Sequence, residues 1–116
     1  MSRFAFALTA ALVPAAALGA SVDEDNAKDM RCLILTSEMA ESEDKDLETA
    51  GLIASQYYLG RIDGRSPGAD LEKLLVQEAG RIADEERPQL TMACAKHMEE
   101  RGKHLEAVGN KIAAAS

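Results

Sequence analysis

Pro88-Gln-Leu-Thr-Met-Ala-Cys94-Ala-Lys-His97-Met-Glu-Glu-Arg-Gly-Lys-His104-Leu-Glu-Ala-Val-Gly-Asn-Lys-Ile112 is the stretch whose reading decides the fold. Cys94, Met98, Leu105, Val108 and Ile112 follow alternating three- and four-residue steps, with Arg101 in the missing place. That spacing predicts one stripe of a long amphipathic helix. Pro88 suits the first helical turn, where its absent N–H would have had no partner. The stripe carries the second of only two cysteines. The first, Cys32, stands in another helical pattern far upstream. We expect the two sulfurs to be bonded and to fasten the front of the domain to its back.

The chain begins like an export signal. Arg3 supplies a positive start, and Phe4 to Val13 is apolar except for Thr9. Alanines then lead to Leu18-Gly19-Ala20-Ser21, where small residues suit cleavage. Residues 1–20 are therefore expected to be a signal peptide and residues 21–116 a single exported helical domain, periplasmic or secreted. Pro14 and the alanines make the segment a poor membrane span, and no span is expected in the mature chain. Export places both cysteines where disulfides persist. The mature chain has no Trp, and Tyr57 and Tyr58 are its only aromatics. A core of small and aliphatic side chains gains less per residue than one with large rings. A bond closing a loop of roughly 60 residues adds about 4 kcal/mol in the chain-entropy account.

Four helical patterns can be read in order. The first opens at Asn26 as N-cap and runs to about Ala40, with Cys32, Leu35 and Met39 inward and Leu33 and Ile34 widening the face. Glu41 to Asp46 is a polar break. The second runs from about Leu47 to Leu59, capped by Asp44 or Asp46, with Leu47, Ala50, Ile53, Ala54 and Tyr57 as its face. Gly51 either lets another helix approach closely or is neutral. Gly60 reads as the stop. Gly60 to Gly68 holds three glycines and a proline, so it reads as a loop with two solvated arginines. Ser66-Pro67 reads as a cap and first residue of the third helix, which runs to about Glu86. Its stripe is Leu71, Leu74, Leu75, Glu78 or Ala79, and Ile82. No period-two alternation argues for a strand. The fold class is all-α: a compact bundle of about four helices, the first and last joined by the Cys32–Cys94 disulfide.

Charge excludes some functions. Ser21 to Gly60 holds ten acids and three bases, whereas Arg61 to Ser116 is nearly balanced with ten and nine. An acidic chain without a basic stripe does not suit nucleic acid or an anionic membrane. His97 and His104 stand seven apart, not the three or four of a helical zinc pair. Glu100 and His104 read as a surface ion pair rather than metal ligands. Cys94 near His97 would resemble an activated thiol, but a disulfide sulfur cannot act as one. The acids of Glu41 to Asp46 lack the alternation and central glycine of a calcium loop. The arginines of Gly60 to Gly68 lack P-loop spacing. We expect no catalysis, no metal and no cofactor.

Ala27-Lys-Asp-Met-Arg-Cys32, directly after the signal, resembles the first-cysteine region of the small periplasmic acid-stress chaperones of the HdeA/HdeB family. Leu90-Thr-Met-Ala-Cys94-Ala-Lys, followed by a basic amphipathic stretch, is similar to the second. The chain is longer between its cysteines than that family and lacks its large aromatics. The resemblance implies a non-catalytic binder of unfolded clients, with Leu35, Met39, Met98, Leu105 and Val108 as candidate client contacts. Composition permits this. Near pH 2 the carboxylates are protonated and both histidines charged, so repulsion would loosen the fold and expose apolar surface. The competing expectation is a constitutive envelope module for protein interaction. Partners are expected among proteins, a second copy of the chain included.

Overall fold

The computed structural model describes the backbone of residues 15–116 and side chains from Val22 onward. The first fourteen residues of the expected signal lie outside the described residues. Four α-helices form the fold: α1 (Ala15–Met39), α2 (Lys45–Arg65), α3 (Leu71–Ala79) and α4 (Arg87–Ala115). A single 3₁₀ turn, Asp84–Glu86, leads into α4. No strand occurs among the described residues. The chain is thus the expected all-α bundle, and its first and last helices are joined through Cys32 and Cys94.

Helix α1 is the hub. It packs most extensively along α2 and also meets α3 and α4. Met30 and Leu35 of α1, Ala54, Tyr58 and Ile62 of α2, Ile82 after α3 and Cys94 of α4 are buried together as the core. Asn26 does not open α1; nothing between Ala15 and Asn26 breaks the helix, and Asn26 lies buried inside it. Its amide instead reaches α2 and the residue after it: Nδ2 donates to Ser66 Oγ at 2.9 Å, and Oδ1 accepts from Arg65 at 2.7 Å.

Helix α2 departs most from expectation. Asp44 caps it, its side chain accepting from the backbone N–H groups of Asp46 and Leu47. It then passes through Gly60 and Gly64 to Arg65, with no described glycine at positive φ. Gly60 costs only helix propensity here, on the order of 1 kcal/mol. Burial of Ile62 and the ion pairs of Arg61 and Arg65 outweigh it. The buried face is Gly51, Ala54, Tyr58 and Ile62, turned from the expected one, so that Leu47 and Ile53 face solvent. Gly51 fixes that rotation. A Cβ there would stand 2.4 Å from the Ala40 nitrogen and 2.7 Å from the Thr36 carbonyl oxygen, both backbone atoms. The close-approach reading of Gly51 is therefore the right one.

The connection to α3 is short. The Ser66 N–H closes α2 on the Ile62 carbonyl at 2.7 Å. Asp70, not Ser66, caps α3, accepting from the Lys73 N–H at 3.0 Å. Helix α3 ends at Ala79 rather than near Glu86. Gly80 follows, Ile82 turns into the core, and Ala83 is extended so that the chain can reverse into α4. Pro88 lies in the first turn of α4 as its missing N–H requires. Arg87 Nη1 donates to both Glu38 oxygens at 2.6 and 2.8 Å and joins the end of α1 to the start of α4. Beyond Met98 every residue of α4 is exposed, so its second half stands clear of the bundle. Of the expected inward stripe, Cys94 is buried and Met98 half-buried, while Leu105 and Ile112 are 70% and 66% exposed.

Two glycines of α2 give opposite expectations. Gly51→Ala should lower stability by about 1–3 kcal/mol through overpacking against backbone. Gly60→Ala, whose Cβ would meet nothing within 4 Å, should raise it by about 0.5–1 kcal/mol. Thermal unfolding followed by circular dichroism checks both.

Candidate functional site

The α1 segment Asn26 to Cys32 places three functional groups along the helix. Asn26 and Asp29 lie one turn apart and face α2. Asp29 is only 5% exposed, and its Oδ2 accepts from Arg61 Nε at 2.9 Å and Arg65 Nη2 at 2.8 Å. The two arginines are i, i+4 on α2 and therefore share a face. The glycines and proline around them predict a solvated loop for both. The structure puts them on a helix and binds them to one buried carboxylate.

A second carboxylate repeats the arrangement on α3. Glu78 is fully buried. Its Oε2 accepts from Arg31 Nη1 of α1 at 2.7 Å and its Oε1 from Arg81 at 3.0 Å. Two buried acids thus each meet two guanidiniums, and no buried side-chain polar atom among the described residues lacks a hydrogen-bond partner. A buried charge without such partners would be strongly unfavourable.

The disulfide follows directly along α1, at the residue after Arg31. Cys32 and Cys94 have Cα atoms 5.6 Å apart and stand 62 residues apart in sequence. Beside it, Tyr58 donates its hydroxyl to the Cys94 carbonyl at 2.7 Å. Burial, then the neighbouring Tyr57 and Asp29, push the Tyr58 phenol up to about 12. Tyr57 OH and His97 Nε2 are 2.8 Å apart, and Arg61 Nη1 lies 3.3 and 3.4 Å from them. Arginine only donates, so Nε2 acts as acceptor toward it. Burial alone would lower Arg61, but its hydrogen bonds to Asp29 and Tyr57 hold it above its ordinary value. A groove of about 360 Å³ runs along this region, with the disulfide, Tyr58, Leu90 and Ala93 among its walls and Lys28, Arg31 and Arg61 at its edge.

The residues expected to contact clients are not brought together. Leu35 is in the core. Met39 and Met98 are half-buried at the end of α1 and the middle of α4. Leu105 and Val108 are exposed on the free half of α4. His97 belongs to the Tyr57–Arg61 cluster, whereas His104 is exposed. The surface ion pair of α4 joins Lys103 to Glu99 at 2.9 Å, one residue away from the expected Glu100–His104 pair. No group of three or more His, Cys, Asp or Glu among the described residues is placed to hold a metal ion. No described helix is long and apolar enough to cross a membrane.

Asp29, Glu78, Arg61 and Arg65 were missed as a set. One local signal existed: Arg61 and Arg65 at helical spacing directly after Tyr57-Tyr58. Glu78, within an otherwise apolar stripe, was another. Compared with known proteins, the chain matches no family model, no curated protein and no solved structure.

Asp29→Asn and Glu78→Gln should each cost about 3–5 kcal/mol, because two guanidiniums lose their counter-charge. Arg81→Ala, at an exposed partner, should cost under ~1 kcal/mol. Urea titration distinguishes them. In alkali, a rise in tyrosinate absorbance near pH 12 should be present in the parent and absent from Tyr58→Phe. The folded protein holds that proton more tightly than the unfolded chain, so the associated stability is whole below about pH 10 and falls as pH rises further.

Proposed function

We propose that this chain is an exported, non-catalytic binder of unfolded proteins that opens in acid. It would act in the manner of the small periplasmic acid-stress chaperones of the HdeA/HdeB family, which its cysteine segments resemble. The observation that carries this reading is the division of bonds within the bundle. Helix α1 is held to α2 and α3 through two buried carboxylates, Asp29 and Glu78, which face four arginines. It is held to α4 through a covalent bond. Loss of those two negative charges in acid would leave the four guanidiniums without counter-charge between the helices. The disulfide is indifferent to that change. Separation of α2 and α3 from α1 would uncover Met30, Leu35, Ile62 and Ile82, the apolar surface a client would meet. Leu35 serves as a client contact only after this opening.

A second reading is a constitutive protein-interaction module of the cell envelope. It is favoured by the apolar stripe already exposed on folded α4. Near-ultraviolet circular dichroism separates the two: a cooperative tertiary signal surviving at pH 2 supports the constitutive module.

The direct test is light scattering from an aggregating client at pH 2 and pH 7, with the protein oxidised or reduced. The expected outcome is suppression at pH 2 only, weakened by reduction. Equal suppression at both pH values, or none at either, would sink the acid-binding proposal.

A further inference from the structure

The free half of α4 carries a pattern that nothing within one chain uses. Met98, Arg101, Leu105, Val108, Ile112 and Ala115 fall on a three-four repeat, the seam of a two-stranded coiled coil. Leu105, Val108 and Ile112 are among the exposed large apolar residues. Beside the seam stand Gly102 and Gly109, seven apart and so on one edge. A Cβ at either would meet nothing within 4 Å. Mid-helix glycine weakens a helix, and here it relieves no contact inside the protomer, in contrast to Gly51.

We infer that this face is a homodimer interface in which two copies of α4 pair antiparallel. The inference names the surface and occupant of a self-association; it does not depend on opening in acid. Four features select a second copy. Residues 98–115 hold three acids and three bases, whereas the whole chain carries −7. This neutral segment is where two such chains can meet with least repulsion. Antiparallel pairing also keeps the two acidic bodies at opposite ends of the helix pair. The pattern is self-complementary: with Leu105 opposite the partner's Val108, Arg101 falls opposite the partner's Ile112. Gly102 then faces the partner's Gly109, where the absence of side chains lets backbones approach. Finally, eighteen residues give a helix pair ~27 Å long, which buries on the order of 1,000 Å², the lower bound of a specific interface. Leu105 and Val108 would be covered in this dimer, leaving the core residues for a client.

Sedimentation velocity of the purified protein at neutral pH, without client, tests the pairing. The expected result is a species of twice the monomer mass. Leu105→Asp combined with Ile112→Asp should give monomer, with helix content and disulfide unchanged because both sites are exposed. Met92→Asp, exposed but off the seam, should leave the dimer intact. Gly102→Leu with Gly109→Leu should make α4 more helical yet weaken association at least ~tenfold. Small-angle scattering should show two lobes at the ends of a rod. A monomer at all concentrations, a dimer that survives the double aspartate variant or is broken by Met92→Asp, unweakened association of the leucine variant, or two lobes side by side would overturn the inference. None of these outcomes bears on client suppression at pH 2, so the two proposals fail separately.

Discussion

A carboxylate on the inward face of α1 can be buried only if cations come to it. Asp29 sets that condition, and α2 meets it by remaining helical past two glycines until Arg61 and Arg65 both reach the same oxygen. The rest of the bundle follows from that docking. It sets the depth at which Tyr58 and Ile62 enter the core. It also places Ser66 where Asn26 can hold it, and so fixes the point at which the chain turns toward α3. Glu78 makes the corresponding demand on α3, answered by Arg31 across the interface. These pairs are not strong net stabilisers, since desolvation consumes much of their attraction. Their contribution is to make other alignments of the same helices costly.

The Cys32–Cys94 bond works on different terms. It is independent of pH and limits the freedom of the unfolded chain rather than strengthening the packed one. It matters to this bundle because the core is built from few large side chains, and among the described residues only Tyr58 contributes a buried ring. Tyr58 also ties the two systems together. It belongs to the helix that Asp29 holds, and it donates to the carbonyl of the bonded cysteine.

Much of the architecture was legible in local spacing. The four helices, the all-α class and the start of α4 at Pro88 needed only periodicity and the helix-start rule, and the cysteine pair needed only the export-like start and a count of two cysteines. The extent of α2 was not legible. Gly60 has the chemistry of a helix stop, and what overrides it is a pairing with Asp29 thirty-two residues away. The rotation of α2 escaped for a similar reason, since it is set by backbone contact at Gly51 rather than by its most apolar side chains. In α4 the apolar stripe was read correctly as a stripe. Its burial was not, because periodicity identifies the apolar face of a helix and not what lies against it. The charge hubs depended on partners from separate helices, and only the i, i+4 spacing of the two arginines left a local trace.

The cross-link also gives the molecule a topology. Residues 32 to 94 form a covalent ring that contains all of α2 and α3, with the front of α1 and most of α4 as two tails leaving the same knot. A peptidase cut in the exposed turn at Pro67-Gly68 would open that ring without shedding a fragment. The nicked protein would still be one molecule, its two pieces parting only when the sulfurs are reduced.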